Sequence, residues 1–273
     1  MPIVNGAYDA PTWNNNAPPA IDASELQDMC DTIETYNTQK ADVDYVNTFV
    51  RPNLLDNWYF VGGGSQQGGG QFPINQRGAT SYTGDGYGID RWKLTPRGGS
   101  LSLQSDGLYL YPGTTGTKVS FISQKIENPS KLHDQKYTLS FLLDVPSGTS
   151  GQIRFMNSSY SPISGGSLAF NAGATLVSLT VSVTSEFDNV GILSSSGSTD
   201  AIKIIAAKLE KGSTQTLAHQ ESGVWVLNEI PDYAKEWLKC RRYQKVLESS
   251  ENTILCGGSR LFGRNRRRDA DSG

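Results

Sequence analysis

Residues 100–126 read SLSLQSDGLYLYPGTTGTKVSFISQKI. Apolar residues alternate with other residues at Leu101 and Leu103 and again at Leu108 and Leu110, and the same period continues to the end of the stretch. A period of two indicates β-strands that bury one face. The sequences SDG and PGTTGT, which are typical of turns, separate the apolar runs. The stretch therefore predicts three consecutive β-strands.

The same pattern of short strands and turns extends through most of the chain. The chain has 29 glycines and only 19% charged residues, a composition that favours short strands joined by tight turns. No helical pattern interrupts the strands, so we predict a mainly β fold, a jelly-roll β-sandwich. The predicted strands cover residues 54–60, 100–104, 108–112, 118–126, 137–145, 151–157, 167–173, 174–183, 190–196 and 201–212.

A helix is predicted on the N-terminal side of the sandwich. Asp22 or Ser24 can cap it, and Pro52 ends it, because a residue before proline avoids the helical region. Its apolar residues follow a heptad seam that Lys40 and Asn47 interrupt. We interpret the seam as a short coiled coil, most plausibly trimeric; the alternative is one amphipathic helix lying on the protein's own body. The seam consists of Leu26, Met29, Ile33, Tyr36, Val43 and Val50.

The two ends of the chain differ from the sandwich in composition. Residues 1–21 are rich in proline and asparagine, which predicts an extended arm. A second helix of about sixteen residues is predicted after Pro231, a residue suited to the first turn of a helix. The tail after Cys256 contains a short run of arginines at 260–268 that is followed by Asp269 and Asp271. This pattern favours a solvated end over one that binds nucleic acid. The candidate anchors of the arm are Tyr8, Trp13 and Ile21.

Charge and cysteine content exclude several classes of protein. The net charge of −3 gives no basic surface for a phosphate backbone, so we expect no nucleic-acid partner. Cys30, Cys240 and Cys256 are odd in number and far apart, which predicts neither a disulfide framework nor a zinc site. The sequence contains no apolar run long enough to insert in a membrane and no signal-peptide pattern.

No motif in the sequence supports catalysis. The run Gly62–Gly70 lacks the lysine and the spacing of a phosphate-binding loop. Aspartates are scattered over turns, where they are common for conformational reasons, and His133 and His219 lie in no metal or nucleophile motif. We therefore predict no enzyme activity, no catalytic residue, no metal and no cofactor.

Aromatic residues are the strongest candidates for ligand contacts. Flat apolar rings beside Asn, Asp and Arg can stack on a sugar while the polar groups form directional hydrogen bonds. Trp58, Tyr109, Tyr111 and Tyr160 also belong to the aromatic set, most of which we expect in the core or on sheet faces. The four candidates for ligand contacts are Tyr59, Tyr82, Tyr87 and Trp92.

Five segments together resemble a group of bacteriophage and prophage tail-fibre or virion-surface proteins. They are NLLDNWYF (53–60), INQRG (74–78), YGIDRW (87–92), AAKLEKGSTQTLAHQ (206–220) and VWVLNEIPDYAKEWLKCRRYQ (224–244). The resemblance implies a jelly-roll module like carbohydrate-binding modules, and it transfers no catalytic residue. The Gly62–Gly70 loop is longer than in many of these proteins, and the chain ends in an arginine-rich tail where many of them continue into another β segment.

The resemblance implies a virion structural protein, a fibre subunit made in the bacterial cytoplasm and displayed on the particle for host attachment. Its expected partners are two further copies, other virion proteins and a host-surface glycan. A decoration protein with a purely structural role and a polysaccharide depolymerase are the alternatives. The predicted division is an extended virion-attachment arm (1–21), a helical oligomerisation stalk (22–52), the jelly roll (53–216), a linker and packing helix (217–250) and a disordered arginine-rich tail (251–273).

Overall fold

The chain divides into two units, Met1–Arg51 and Pro52–Gly273. The computed structural model describes residues 27–32, 51–64, 71–95, 99–113, 120–195, 198, 200–246 and 254–256. In the first unit residues 27–32 are α-helical, and Met29 is 55% exposed. The coiled coil and the arm remain predictions, because their other residues lie outside the described ones: Leu26, Ile33, Tyr36, Val43 and Val50 of the seam, and the anchors Tyr8, Trp13 and Ile21.

The second unit is mainly β, as the sequence predicts, and its paired strands are antiparallel. In chain order the described strands are β1 (Ser81–Tyr82), β2 (Gly86–Tyr87), β3 (Lys93–Thr95), β4 (Ser100–Gln104), β5 (Gly107–Tyr111), β6 (Phe121–Lys125), β7 (Lys136–Asp144), β8 (Ser150–Met156), β9 (Pro162–Asn171), β10 (Leu176–Ser182), β11 (Asn189–Ser194), β12 (Ile202–Lys211), β13 (Ala218–Glu221), β14 (Val224–Leu227), β15 (Gln244–Val246) and β16 (Ile254–Cys256).

Twelve of these strands form two six-stranded sheets. Sheet 1 has the order β1-β4-β5-β12-β7-β10, and sheet 2 has the order β2-β3-β6-β11-β8-β9. The eight strands from β5 to β12 divide between the sheets as β5-β12-β7-β10 and β6-β11-β8-β9, which is the strand order of a jelly roll built from two Greek keys. The predicted jelly-roll sandwich is therefore confirmed, and the four earlier strands extend its sheets at one side.

The core lies between the two sheets and follows the alternation in the sequence. Leu139, Phe141 and Leu143 of β7 are buried, as are Ile153 and Phe155 of β8 on the opposite sheet. Each such side chain contributes about 1.5–3 kcal/mol when it leaves water. Because the alternation comes from residues two apart along each strand, the faces that pack together are already visible in the sequence.

The prediction of a regular strand at residues 54–60 is wrong. The segment runs along β12, where Leu54 N donates to Leu209 O at 2.8 Å and Phe60 N to Ile205 O at 2.9 Å, but it forms only the isolated bridge Tyr59–Ala206. The cause is Asn57, whose φ of 54° lies in the left-handed region. One residue in that conformation turns the chain and interrupts a regular ladder.

The C-terminal helix is present but shorter than the predicted sixteen residues. It spans Tyr233–Arg241, and the side chain of Asp232 caps it by accepting a hydrogen bond from Lys235 N at 3.1 Å. It stops early because β15 follows directly and pairs with β16. Strands β13 and β14 form a hairpin in the segment predicted to be a linker. Strand β9 begins at Pro162, five residues before the start of the strand predicted at 167–173.

A buried polar network centred on Asn57 holds the non-strand segment in place. The Asn57 side chain donates to Ile74 O at 2.8 Å and to Asp90 O at 2.9 Å, and it accepts from Ile74 N at 2.7 Å. The Trp92 indole donates to Asn57 O at 2.9 Å. Glu236 of the C-terminal helix accepts from Asn57 N at 2.5 Å. The network therefore joins three of the sequence segments that carry the resemblance, 53–60, 74–78 and 87–92, to the helix in the fifth.

Two further groups of charges complete this side of the sandwich. Asp56 pairs with Arg91 at 2.9 Å, and the Arg91 guanidinium lies 3.5 Å from the centre of the Tyr243 ring. On β12 the buried Lys208 donates to a carboxylate oxygen of Glu229. These charges are withdrawn from solvent and paired, which is the arrangement expected of structural groups.

Candidate functional site

The four aromatic residues predicted to contact a ligand occupy different environments. Trp92 is 0% exposed and packs in the core against Phe60 and Phe141, so its ring is not on a surface that a ligand could reach. Only Tyr87 is largely exposed, at 48%, and the Arg77 guanidinium lies 5.9 Å from the centre of its ring. The candidate role of Trp92 is therefore corrected to a core role that its apolar neighbours and indole hydrogen bond explain.

Tyr59 and Tyr82 are half-buried and engaged with the protein. The Tyr82 hydroxyl donates to Asn75 Oδ1 at 2.9 Å, and burial raises the pKa of Tyr82 to about 12. The Tyr59 ring meets Phe72 edge to face, with 5.6 Å between ring centres. The Tyr82 ring lies beside Gly88, the residue that follows Tyr87, whereas the contacts of Tyr59 are with Trp58 and Phe72.

A groove of about 240 Å³ on the outer face of sheet 2 brings together a different set of residues. Strands β6, β8 and β11 form its floor, and the turn between β8 and β9 forms one wall. The described residues that line it carry no carboxyl, imidazole or thiol group. They are Phe121, Arg154, Met156, Ser159, Tyr160, Ser161, Pro162, Gly191, Ile192 and Leu193.

Tyr160 is the aromatic residue of this groove, and its turn fixes it there. Asn157 accepts from Ser159 N at 3.0 Å and from Ser161 N at 3.1 Å through its side-chain oxygen. Asn189 of β11 ties the turn to the sheet by donating to Asn157 O at 3.1 Å. Tyr160 takes a φ of 62°, a conformation that this short turn imposes.

The Tyr160 ring extends across the sheet from this turn. Its centre lies 5.5 Å from that of Phe121 on β6 and 4.9 Å from the Lys93 Nζ on β3. The Lys93 ammonium also donates to the Tyr160 hydroxyl at 3.3 Å. Two rings and a cation therefore meet over the face of sheet 2, which orients the Tyr160 ring.

Polar side chains on β8 lie beside the aromatic pair. Arg154 donates twice to Gln152 Oε1, at 3.1 Å and 2.7 Å, and the Ser167 hydroxyl of β9 donates to the same oxygen at 3.0 Å. Partial burial lowers the pKa of the Arg154 guanidinium from its ordinary value. The groove thus offers a ring for stacking and fixed donors for directional hydrogen bonds.

The sequence indicates these residues only in part. In GQIRFMN the polar Gln152 and Arg154 alternate with the apolar Ile153 and Phe155, so their outward placement follows from the period of two. Tyr160 belongs to the aromatic set of the sequence, but nothing local distinguishes it from the others. Lys93 lies on β3, three strands from β8 in the order of sheet 2, and only the folded sheet brings it to Tyr160.

A second groove, of similar volume, lies between Asp56 and the turn that precedes the 3₁₀ helix Pro129–Leu132. Its charged floor is occupied by the Asp56–Arg91 pair, and Lys239 approaches Asp56 at 3.7 Å. Because these charges already satisfy one another, the second groove is a weaker candidate for a ligand site.

Among the described residues no group of three or more His, Cys, Asp and Glu side chains could hold a metal ion. The same part of the chain has no helix both long enough and apolar enough to span a membrane.

No protein-family model matches the sequence, and the comparison with curated proteins gives no match. Among solved structures, the enzymatically active domain of tailspike protein 4 from bacteriophage CBA120 is similar with a TM-score of 0.33 and 16% identity over 44% of this chain; the match spans 19% of that chain. The module TmCBM61, solved in complex with β-1,4-galactotriose, has a TM-score of 0.34 and 12% identity over 59% of this chain and 99% of its own. A family 29 carbohydrate-binding module from Piromyces equi has a TM-score of 0.34 and 9% identity over 48% of this chain and 87% of its own. The jelly-roll assignment rests on the strand order of this chain and not on these matches.

Proposed function

We propose that this chain is a fibre subunit of a bacteriophage particle and that its jelly roll binds glycan on the host surface through the outer-face groove of sheet 2. The observation that carries the glycan part is the Tyr160 ring, held over the sheet between Phe121 and Lys93 beside the fixed polar groups of Gln152 and Arg154. A flat ring next to directional hydrogen-bonding groups is the arrangement that sugar recognition uses.

The virion part of the proposal rests on the five sequence segments that resemble tail-fibre and virion-surface proteins. The buried network explains why three of those segments contain these residue types. Asn57 donates to Asp90 O, and the Trp92 indole donates to Asn57 O, so each segment supplies a hydrogen-bond partner to another. In this proposal the segments preserve a scaffold, whereas the groove supplies the ligand contacts.

The predicted stalk would present the groove in three copies. A single groove of about 240 Å³ is small and shallow, so one copy should bind weakly. Three grooves on one particle-bound stalk would raise the apparent affinity through effective concentration without any new contact. The mass of the full-length chain in solution tests this step, with a trimer as the expected result and a strict monomer as the contradictory one.

A glycan array tests the binding function directly. The full-length protein should bind a subset of bacterial surface glycans, Tyr160→Ala should lose that binding, and Tyr160→Phe should keep it because the ring remains. Tyr111→Ala is the matched control, since Tyr111 is a 36% exposed ring on β5 of sheet 1. Absence of binding by folded wild-type protein would refute the glycan proposal and favour a decoration role.

A further inference from the structure

One row of side chains crosses the whole of sheet 2. The strand registers pair Tyr87 with Lys93, Lys93 with Ser123, Ser123 with Gly191, Gly191 with Arg154 and Arg154 with Ser167. Directly paired residues of antiparallel strands point to the same face. The neighbours along the strands, such as Leu94, Ile122 and Ile153, are buried in the core, so this row lies on the outer face.

The two residues in the middle of this row have small side chains, and the residues on either side of them are positively charged. Ser123 and Gly191 supply almost no side chain, and a Cβ on Gly191 would come within 2.5 Å of Ile122 O, so no larger residue fits there. Lys93 and Arg154 stand on either side of these two small residues. Arg154 therefore lines the groove itself, and Lys93 lies beside the Tyr160 ring that forms one of its walls.

Neither cation is neutralised by the described part of the protein. Lys93 meets only the hydroxyl and ring of Tyr160, and Arg154 meets only the amide oxygen of Gln152; among the described residues neither has a carboxylate within ion-pair distance. In contrast, the withdrawn cations Arg91 and Lys208 each contact a carboxylate. A partly buried guanidinium without a counter-charge is costly, and an anionic ligand would remove that cost.

The carboxylate that precedes β11 is already engaged with other groups. Asp188 precedes β11, and it is paired with Lys125 at 3.4 Å and accepts from Asn189 Nδ2 at 2.8 Å. The groove is thus locally positive on a chain whose net charge is −3. A local field opposite in sign to that of the whole protein favours a negatively charged ligand at this site.

We propose that the groove binds an anionic sugar residue, with the sugar ring on Tyr160 and its acidic group on Arg154, while Lys93 adds positive charge beside the ring. This inference rests on the proposed glycan-binding function and names the class of glycan. The Arg154 N–H groups not directed at Gln152 can donate in parallel to two oxygens of a carboxylate or phosphate. Lys93 supplies a point charge next to the Tyr160 ring.

The experiment compares an acidic polysaccharide with its own neutral, reduced form and adds an unrelated polymer that carries phosphate. Full-length protein is titrated with polygalacturonate, with the same polymer after chemical reduction of its carboxyl groups, and with a phosphate-bearing wall teichoic acid. We expect the acidic polymers to bind about tenfold to a hundredfold more tightly than the reduced one, which corresponds to one hydrogen-bonded charge pair. The preference should shrink as salt is added.

Variants locate the charge effect. Arg154→Gln should lose the preference for acidic polymers and keep the weak binding of the neutral one, because Tyr160 is unchanged. Lys203→Gln is the control, since Lys203 is a surface cation on β12 of sheet 1, and it should keep the preference. Whether polygalacturonate or the teichoic acid binds more tightly shows whether the groove prefers a carboxylate or a phosphate.

The experiment distinguishes failure of this inference from failure of the proposed glycan-binding function. Equal binding of acidic and neutral polymers, or a preference that Arg154→Gln leaves intact, would overturn this inference and leave the glycan-binding function standing. Binding of no glycan of either kind, by the titrations and by the array, would overturn both.

Discussion

Replacement of Asn57 by alanine should strongly destabilise the protein, because the Asn57 side chain bonds buried backbone groups of two other segments. The substitution removes the side-chain partners of Ile74 N and Asp90 O, both of them buried, while Ile74 O keeps its bond from Asp90 N at 3.2 Å. An orphaned buried backbone group costs about 1–3 kcal/mol, so the two together cost about 2–6 kcal/mol. Alanine at a φ of 54° adds about 1 kcal/mol, because asparagine tolerates the left-handed region better.

The expected total for Asn57→Ala is therefore about 3–7 kcal/mol, a large part of the ~5–15 kcal/mol that holds a domain folded. Asn128→Ala is the matched control, because Asn128 also has a left-handed φ, of 49°, but is exposed and caps nothing with its side chain. It should cost only about 1 kcal/mol. Asn57→Gly should recover about the conformational part and none of the hydrogen-bond part.

Urea denaturation, followed by tryptophan fluorescence, measures these free energies of unfolding. Equal losses for Asn57→Ala and Asn128→Ala would show that the polar network around Asn57 adds nothing beyond backbone conformation. A loss in Asn57→Ala that Asn57→Gly fully restores would lead to the same conclusion. Either result would refute the reasoning that the network fixes the non-strand segment.

Two further predictions concern buried charges. Burial raises the pKa of the Asp90 carboxyl from 3.8 to about 6, and a raised folded-state pKa gives stability that is present below the unfolded-state value and lost as pH rises through the folded one. Wild type should therefore lose about 2 kcal/mol relative to Asp90→Asn between about pH 4 and about pH 8 in urea titrations, and parallel pH profiles would contradict this. Lys208→Met should cost about 3–5 kcal/mol, because it removes the buried cation that contacts the carboxylates of Glu210 and Glu229. Lys203→Met on the same strand removes only surface ion pairs and should cost less than about 1 kcal/mol, so similar midpoints for the two variants in thermal denaturation would refute the buried-pair explanation.

The sequence predicts the sandwich well because the relevant signal is local. The alternation of Leu101 and Leu103, or of Ile153 and Phe155, states which face of a strand is buried without reference to any distant residue. The predicted strand at 54–60 failed because one residue, Asn57, adopts a left-handed conformation that its partners in other segments stabilise. Asparagine tolerates that conformation better than most residues, but the groups that hold Asn57 in it lie in other segments.

The site could be predicted only in part, because its residues meet through strand pairing. Tyr87 was identified from its ring and does lie on the row of sheet 2, where it neighbours Lys93. Trp92 carries the same chemistry in sequence but faces the core, and its burial is a property of the assembled sheets. Arg154 and Lys93 reach the surroundings of Tyr160 from strands far apart in the chain, so no spacing in the sequence indicates that they lie on one face.

Hydrogen–deuterium exchange with a bound glycan tests the central claim most directly. With the tightest-binding glycan of the array at saturation, we expect slower exchange in β8, in the 157–161 turn and in β11, and unchanged exchange in β4 and β5 of sheet 1. Tyr160→Ala should abolish that protection. Protection confined to sheet 1 or to the Asp56–Arg91 groove would contradict the assignment of the binding site to the outer face of sheet 2.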